Sequence, residues 1–288
     1  MVAVGRPSPA WTPRRSSQSA PRRLERVTTD AWQSGDGYES YVGRWSRPVA
    51  DVFIRGLGIP DGGRWVDVGC GTGAVTETIL RLADPASVVG IDPSEAFVAF
   101  ARAHVVDDRA RFEVGDGGAL PLSDHDADVA VSGLVLNFVP DPVAMLAEMR
   151  RVTRPGGTVA VYVWDYADGM GLMRHFWDAA IEQDPGVSAT SETLRFAICK
   201  PEPLRDAFGR AGLSDVDVQP IDIPTVFRDF DDYWQPFLMA TGPAPRHAMS
   251  LSEDRRADLR RRLQARLPTE PDGTIHLTAR AWAARGTA

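Results

Sequence analysis

A short apolar run, Arg64-Trp65-Val66-Asp67-Val68, breaks into Gly69-Cys70-Gly71-Thr72-Gly73 and continues as a helical pattern from Val75 to Leu82. Strand, glycine turn and helix in that order place a nucleotide at the carboxyl edge of a parallel sheet. Glycine lets the backbone approach a ligand where a Cβ would clash. The first amides of the helix have no partner within it and offer donors.

The glycines fit two patterns. Gly69, Gly71 and Ala74 satisfy a dinucleotide fingerprint with alanine in third place, whereas Gly69, Gly71 and Gly73 follow an acid, Asp67, two residues upstream. A carboxylate so close would repel a pyrophosphate. It would attract the ammonium and sulfonium of S-adenosylmethionine (SAM). The motif therefore favours SAM over NAD, with a ligand-free glycine turn as the bland alternative.

The rest of the chain repeats the strand-helix alternation. Ser87 to Ile91 reads as a second strand, and Asp92 stands 23 positions after Gly69. An acid there accepts hydrogen bonds from both ribose hydroxyls, although Asp92-Pro93-Ser94 also reads as a helix start. Arg111 to Gly115 is a third strand, after which Asp116 and Gly117 could frame an adenine or simply turn the chain. A fourth strand, Ala127 to Ser132, exits through a loop whose polar exception is Asn137. Asp141-Pro142 starts a helix that Arg154-Pro155-Gly156-Gly157 ends, and Thr158 to Trp164 is a fifth strand. Such alternation predicts a parallel sheet covered on both faces.

Before this block, residues 1–29 are rich in arginine, proline and serine, a composition compatible with a disordered arm. Tyr38, Tyr41, Val42, Trp45 and Val49 then recur at helical spacing, with Arg44 suited to grip a carboxylate. After Trp164 the regularity lapses. Residues 166–200 carry a helical stretch, and 229–267 combine aromatics with an arginine-rich helix, Glu253 to Leu267. Between them Val216 to Val226 reads as a strand, and Thr274 to Ala283 as a closing one.

A net charge of -7 disfavours a general affinity for nucleic acid, and no apolar stretch is long enough to span a membrane. Two cysteines, Cys70 and Cys199, form no metal or disulfide framework by themselves, which fits a reducing cytoplasm and no metal. Composition leaves the oligomeric state open.

The ordered set Val66-Asp67-Val68-Gly69-Cys70-Gly71-Thr72-Gly73, Gly90-Ile91-Asp92-Pro93, Gly115-Asp116-Gly117 with Leu120-Pro121, and Arg154-Pro155-Gly156-Gly157 resembles the class I SAM-dependent methyltransferases, closest to the type 11 group. Quinone-ring and other small-molecule methyltransferases resemble it too. The resemblance implies an α/β, Rossmann-like seven-stranded sheet of order 3-2-1-4-5-7-6, its last strand antiparallel, with helical cover segments at 166–200 and 229–267 in one domain, 30–288. It implies that Asp67 and Gly69, Gly71 and Gly73 hold the methionine end of SAM. Asp92 and Pro93 would hold the ribose, Asp116 and Gly117 the adenine, and Tyr41 and Arg44 would close over the cofactor. The expected reaction is methyl transfer to a partly apolar small molecule. The alternatives are an NAD-dependent oxidoreductase and a non-catalytic SAM-binding protein. No motif marks a base; Asn137 near the methyl position, and His175 and His247 in the cover, are the candidates. The cover aromatics Phe176, Trp177, Tyr233 and Trp234 are expected to wall the acceptor pocket.

Overall fold

A computed structural model describes residues 44–190, 196–238 and 242–288. The arm 1–29 and Tyr41 lie outside the described residues. Seven strands form one sheet in the order β3-β2-β1-β4-β5-β7-β6. They are β1 (Arg64–Val68), β2 (Ser87–Asp92), β3 (Ala110–Val114), β4 (Ala127–Gly133), β5 (Thr153–Trp164), β6 (Ser214–Phe227) and β7 (Ile275–Thr287). The first five pair in parallel, and β7 runs antiparallel between β5 and β6. This is the expected topology.

Alternation along the strands explains the layering. On one face Trp65, Val129, Val131, Ala160 and Tyr162 meet α1 (Arg44–Leu57) and α2 (Ala74–Leu82) through Val49, Phe53, Val75 and Ile79. On the other, Val66, Val68, Ala130, Val159 and Val161 meet α4 (Pro142–Val152) and α6 (Pro201–Arg210) through Leu146, Met149, Leu204 and Phe208. Side chains two apart share a face, so each central strand feeds both cores. Local chemistry starts the helices. Ser94 accepts from the Phe97 amide to begin α3 (Glu95–His104), and Asp141 accepts from the Val143 and Ala144 amides to begin α4.

One boundary differs from the expectation. The fifth strand begins at Thr153, where Thr153 pairs with Ala127, and continues straight through Pro155-Gly156-Gly157. The break residues form an irregularity in the strand rather than a loop before it.

Beyond the carboxyl end of β5, β6 and β7 continue alone as a two-stranded arm, from the pair Asp222–Arg280 to the pair Phe227–Ile275. β6 is the outer strand and carries Pro220 and Pro224. On this arm packs a helical layer of α5 (Gly171–Gln183), α7 (Phe230–Trp234), α8 (Pro243–Ser250) and α9 (Glu253–Arg266). The arginines of α9 face acids of α5 and α7: Arg262 and Arg266 reach Glu182 at 3.0 and 2.7 Å, and Arg260 reaches Asp231 at 2.7 Å. Exposed pairs of this kind contribute about 0–1 kcal/mol each. They leave α9 with a balanced, solvated surface.

Candidate functional site

The glycine turn is folded back onto β2. The amides of Gly69 and Cys70 both donate to the Ile91 carbonyl, at 2.7 and 3.0 Å. Gly69 has φ +77°, and a Cβ there would lie 2.5 Å from Cγ2 of Val135. The turn and the loop leaving β4 are therefore in direct contact, and only glycine allows it.

A solvent-open cleft with about 830 Å³ of empty space lies over this contact. Gly69, Cys70, Gly71 and Thr72 form its floor. Asp92 and Phe97 stand at the β2 end, and Gly133, Leu134, Val135, Phe138 and Tyr162 at the β4–β5 end, with Ser46 of α1 closing one side. These residues come from the carboxyl ends of neighbouring strands, the place where open α/β sheets bind ligands.

The carboxylates give the cleft its charge. Asp92 sits with both oxygens on backbone amides, Oδ2 on Gly71 at 3.0 Å and Oδ1 on Ser94 at 2.9 Å. Burial pushes its titration upward, and those two amides oppose the shift. Asp67 lies beneath the turn with no exposed surface. One of its oxygens accepts from the Thr76 hydroxyl at 2.7 Å, and the other, Oδ1, has no partner. Burial raises the Asp67 carboxyl to about 7; the Thr76 hydroxyl lowers it and the charge of Asp92 adds to the rise. Neither carboxylate forms an ion pair among the described residues. Buried charge without a counterion is costly.

The other expected site residues fall elsewhere. Pro93 is exposed and outside the cleft wall. Asp116 is exposed in the turn after β3, with Oδ1 on the Gly118 amide at 2.9 Å, and Gly117 packs toward Val68 and Met145. The turn does share the edge of Asp92, whose carbonyl accepts from the Gly115 amide at 3.1 Å. Arg44 meets a carboxylate, but that of Asp232 at 3.2 Å, with its guanidinium between the rings of Trp45 and Phe227. It ties α1 to α7. Asn137 is half-buried beside Phe138, with its Nδ2 unpartnered, and is not a wall residue.

His175 and His247 both lie in the helical layer, outside the cleft wall. Burial holds both below the usual histidine range, helped by Arg174 for His175 and by Arg255 for His247. The aromatic set meets a similar fate. Phe176, Trp177, Tyr233 and Trp234 are all buried; Phe176 stacks on Phe237 at 4.4 Å, and the Tyr233 hydroxyl donates to the Leu172 carbonyl at 2.8 Å. These rings are the core of the helical layer, not a pocket wall.

Ser46, Thr72, Phe97, Phe138 and Tyr162 line the cleft without having been singled out. Tyr162 alone carried a local signal, a hydroxyl within the otherwise apolar run Val159 to Trp164.

Residues 66–161 match the family model described as a methyltransferase domain. The chain is 33% identical over 128 residues to trans-aconitate 2-methyltransferase of Variovorax paradoxus, covering 44% of this chain and 48% of that one. It is 36% identical over 101 residues to demethylmenaquinone methyltransferase of Roseiflexus castenholzii, covering 35% of this chain and 42% of the relative. The chain thus spans about half the length of these and other curated relatives it matches. Among solved structures, phosphoethanolamine N-methyltransferase 2 of Haemonchus contortus, in complex with S-adenosylhomocysteine, shares the fold at TM-score 0.53 and 15% identity, over 88% of this chain and 56% of that one. The [4+2]-cyclase SpnF does so at TM-score 0.53 and 19% identity, over 84% of this chain and 81% of its own. Motif order, sheet topology and family match agree: the chain carries a class I SAM-dependent methyltransferase domain.

Proposed function

We propose that the protein transfers a methyl group from SAM to a partly apolar small-molecule acceptor. The observation that carries this reading is a pair of carboxyl groups with no cationic partner among the described residues, Asp92 on the wall of the cleft and Asp67 buried beneath the glycine turn. SAM supplies a sulfonium-activated methyl group, so the chain has to orient, desolvate and exclude water. Asp67 and the Gly69–Gly73 turn would hold the cationic methionine end, and Asp92 the ribose. Leu134, Val135 and Phe138 keep the opposite end apolar. Tyr162 brings a hydroxyl to the same end, where an acceptor would approach.

Two observations set the alternatives. Among the described residues the cleft wall carries the Asp92 carboxylate and no basic side chain, with Asp67 buried beneath the turn, which disfavours a pyrophosphate and hence NAD. The [4+2]-cyclase shows that this fold also carries chemistry other than methyl transfer, so the activity rests on the site. Calorimetry with SAM and with NAD distinguishes the cofactors. Conversion of SAM to S-adenosylhomocysteine with an acceptor panel then separates catalysis from binding alone. We also place the protein in a reducing compartment, since Cys70 and Cys199 are both free and buried.

Asp92→Ala should weaken SAM binding by about 2 kcal/mol, roughly thirtyfold, by removing a charge-assisted pair of hydrogen bonds. Calorimetric affinity is the measurement, with the melting temperature as control for folding. A folded variant with unchanged affinity would remove Asp92 from the site.

A further inference from the structure

We infer that SAM binding is coupled to release of a proton from Asp67: the empty cleft holds this side chain as a neutral acid, and the incoming cation ionises it. The inference rests on the cofactor reading above and adds a proton to it.

Geometry selects Asp67 from the two acids. Asp92 is stabilised as an anion by the Gly71 and Ser94 amides. Asp67 is fully enclosed; the hydroxyl and, more weakly, the amide of Thr76 act on it, and Oδ1 has no partner. When two neighbouring carboxyls share a low-dielectric site, the proton stays on the more deeply buried one, here the one with an oxygen that no donor reaches. A protonated Oδ1 also removes the cost of an orphaned charged oxygen.

Among the described residues the surroundings offer no other means of compensation. On the flanking strands Asp67 pairs with Gly90 of β2 and Val131 of β4, neither of which titrates. The turn above contributes the Cys70 thiol, which burial and the two acids push well above its ordinary range and so keep neutral. From α2 comes the Thr76 hydroxyl, and from the end of β2 comes Asp92. Among the described residues the charge that acts on Asp67 is thus negative until a cationic ligand arrives. The balance is simple: the O–H bond of the Asp67 carboxyl breaks, its electron pair stays on the carboxylate, and the proton leaves to solvent.

The sign follows from linkage. A group neutral in the free protein and ionised in the complex makes affinity rise with pH and level off above the free-state titration. For the free value of about 7, affinity for SAM should be about tenfold weaker at pH 6 than at pH 8. The α-amino group of SAM titrates near the top of this range, so pH 6.5 is the better condition for counting protons.

The test is calorimetry with SAM on the full chain at pH 6.5, in two buffers of different ionisation enthalpy. The expected result is release of between half a proton and one per SAM bound. Asp67→Asn, which keeps an oxygen for Thr76, should release none. A second readout uses the unmodified protein alone: the carboxylic-acid stretching band of a buried acid should be present before SAM and lost after it in the infrared difference spectrum. Binding of SAM with no proton release, or with equal release in Asp67→Asn, overturns the inference, as does a difference spectrum without that band. If SAM fails to bind the unmodified protein at all, the cofactor reading itself fails.

Discussion

Replacing Gly69 with alanine is expected to cost about 2–5 kcal/mol of stability and to abolish measurable binding of SAM. Two effects add. The residue sits at φ +77°, where a side chain costs about 1–2 kcal/mol. The new methyl would also be placed 2.5 Å from Cγ2 and 2.7 Å from Cγ1 of Val135, and relieving that overlap in packed surroundings costs about 1–3 kcal/mol. Relief requires the loop after β4 to move away from the turn, and that contact is the middle of the cleft floor. Gly71→Ala is the natural control. Gly71 also has a positive φ, +54°, yet an added Cβ there meets nothing within 4 Å. It should show the conformational cost without the overlap. Melting temperature and calorimetric affinity for both variants are the measurements. Equal behaviour of the two would show that the Val135 contact contributes nothing.

Phe176→Ala is expected to lower stability by about 3–5 kcal/mol while leaving SAM affinity of the folded variant unchanged. The ring has no exposed surface, stacks on Phe237 at 4.4 Å and meets Trp177 edge-on at 5.3 Å. Its removal leaves a hole that Leu259, Leu263 and the arm strands cannot fill without shifting the whole helical layer. The fall in melting temperature should be on the order of 10 °C for a chain of this size. An unshifted melting temperature would show that the ring does not support the layer, and reduced SAM affinity at low temperature would connect the layer to the cofactor cleft.

These two residues also mark where sequence reasoning succeeds and where it stops. The places of Gly69, Gly71 and Asp92 on the cleft wall are legible because the chemistry is local: a turn requiring positive φ and an acid at the end of the adjoining strand leave their mark within thirty residues, whereas Gly73, in the same turn, lies against Val105 and outside the wall. The strand order is legible only through the family resemblance that the four ordered motifs carry, since alternation by itself predicts no more than a parallel sheet covered on both faces. Phe176 and Tyr233 carry no such mark. An aromatic residue reads alike whether it walls a pocket or fills a core, and only the partners brought in from 61 residues away, such as Leu172 to Tyr233, decide. Arg44 makes the same point with charge. Its wish for a carboxylate is evident from its type, but the one it meets, Asp232, lies 188 positions along the chain. Phe138 and Tyr162 reach the cleft wall through the side-by-side placement of β4 and β5, which no spacing rule reports.

Pro220 and Pro224 have a consequence outside the cleft. They lie four apart on the outermost strand, so both imino nitrogens point the same way, and β6 still pairs with β7 throughout this stretch. The missing N–H groups therefore fall on the open side of the sheet. A free strand edge is a template on which another polypeptide can add itself, and two gaps in its row of donors interrupt that growth. Among the described strands the longer of the two sheet edges is in this way interrupted against fibrous self-association, even when the helical layer beside it loosens.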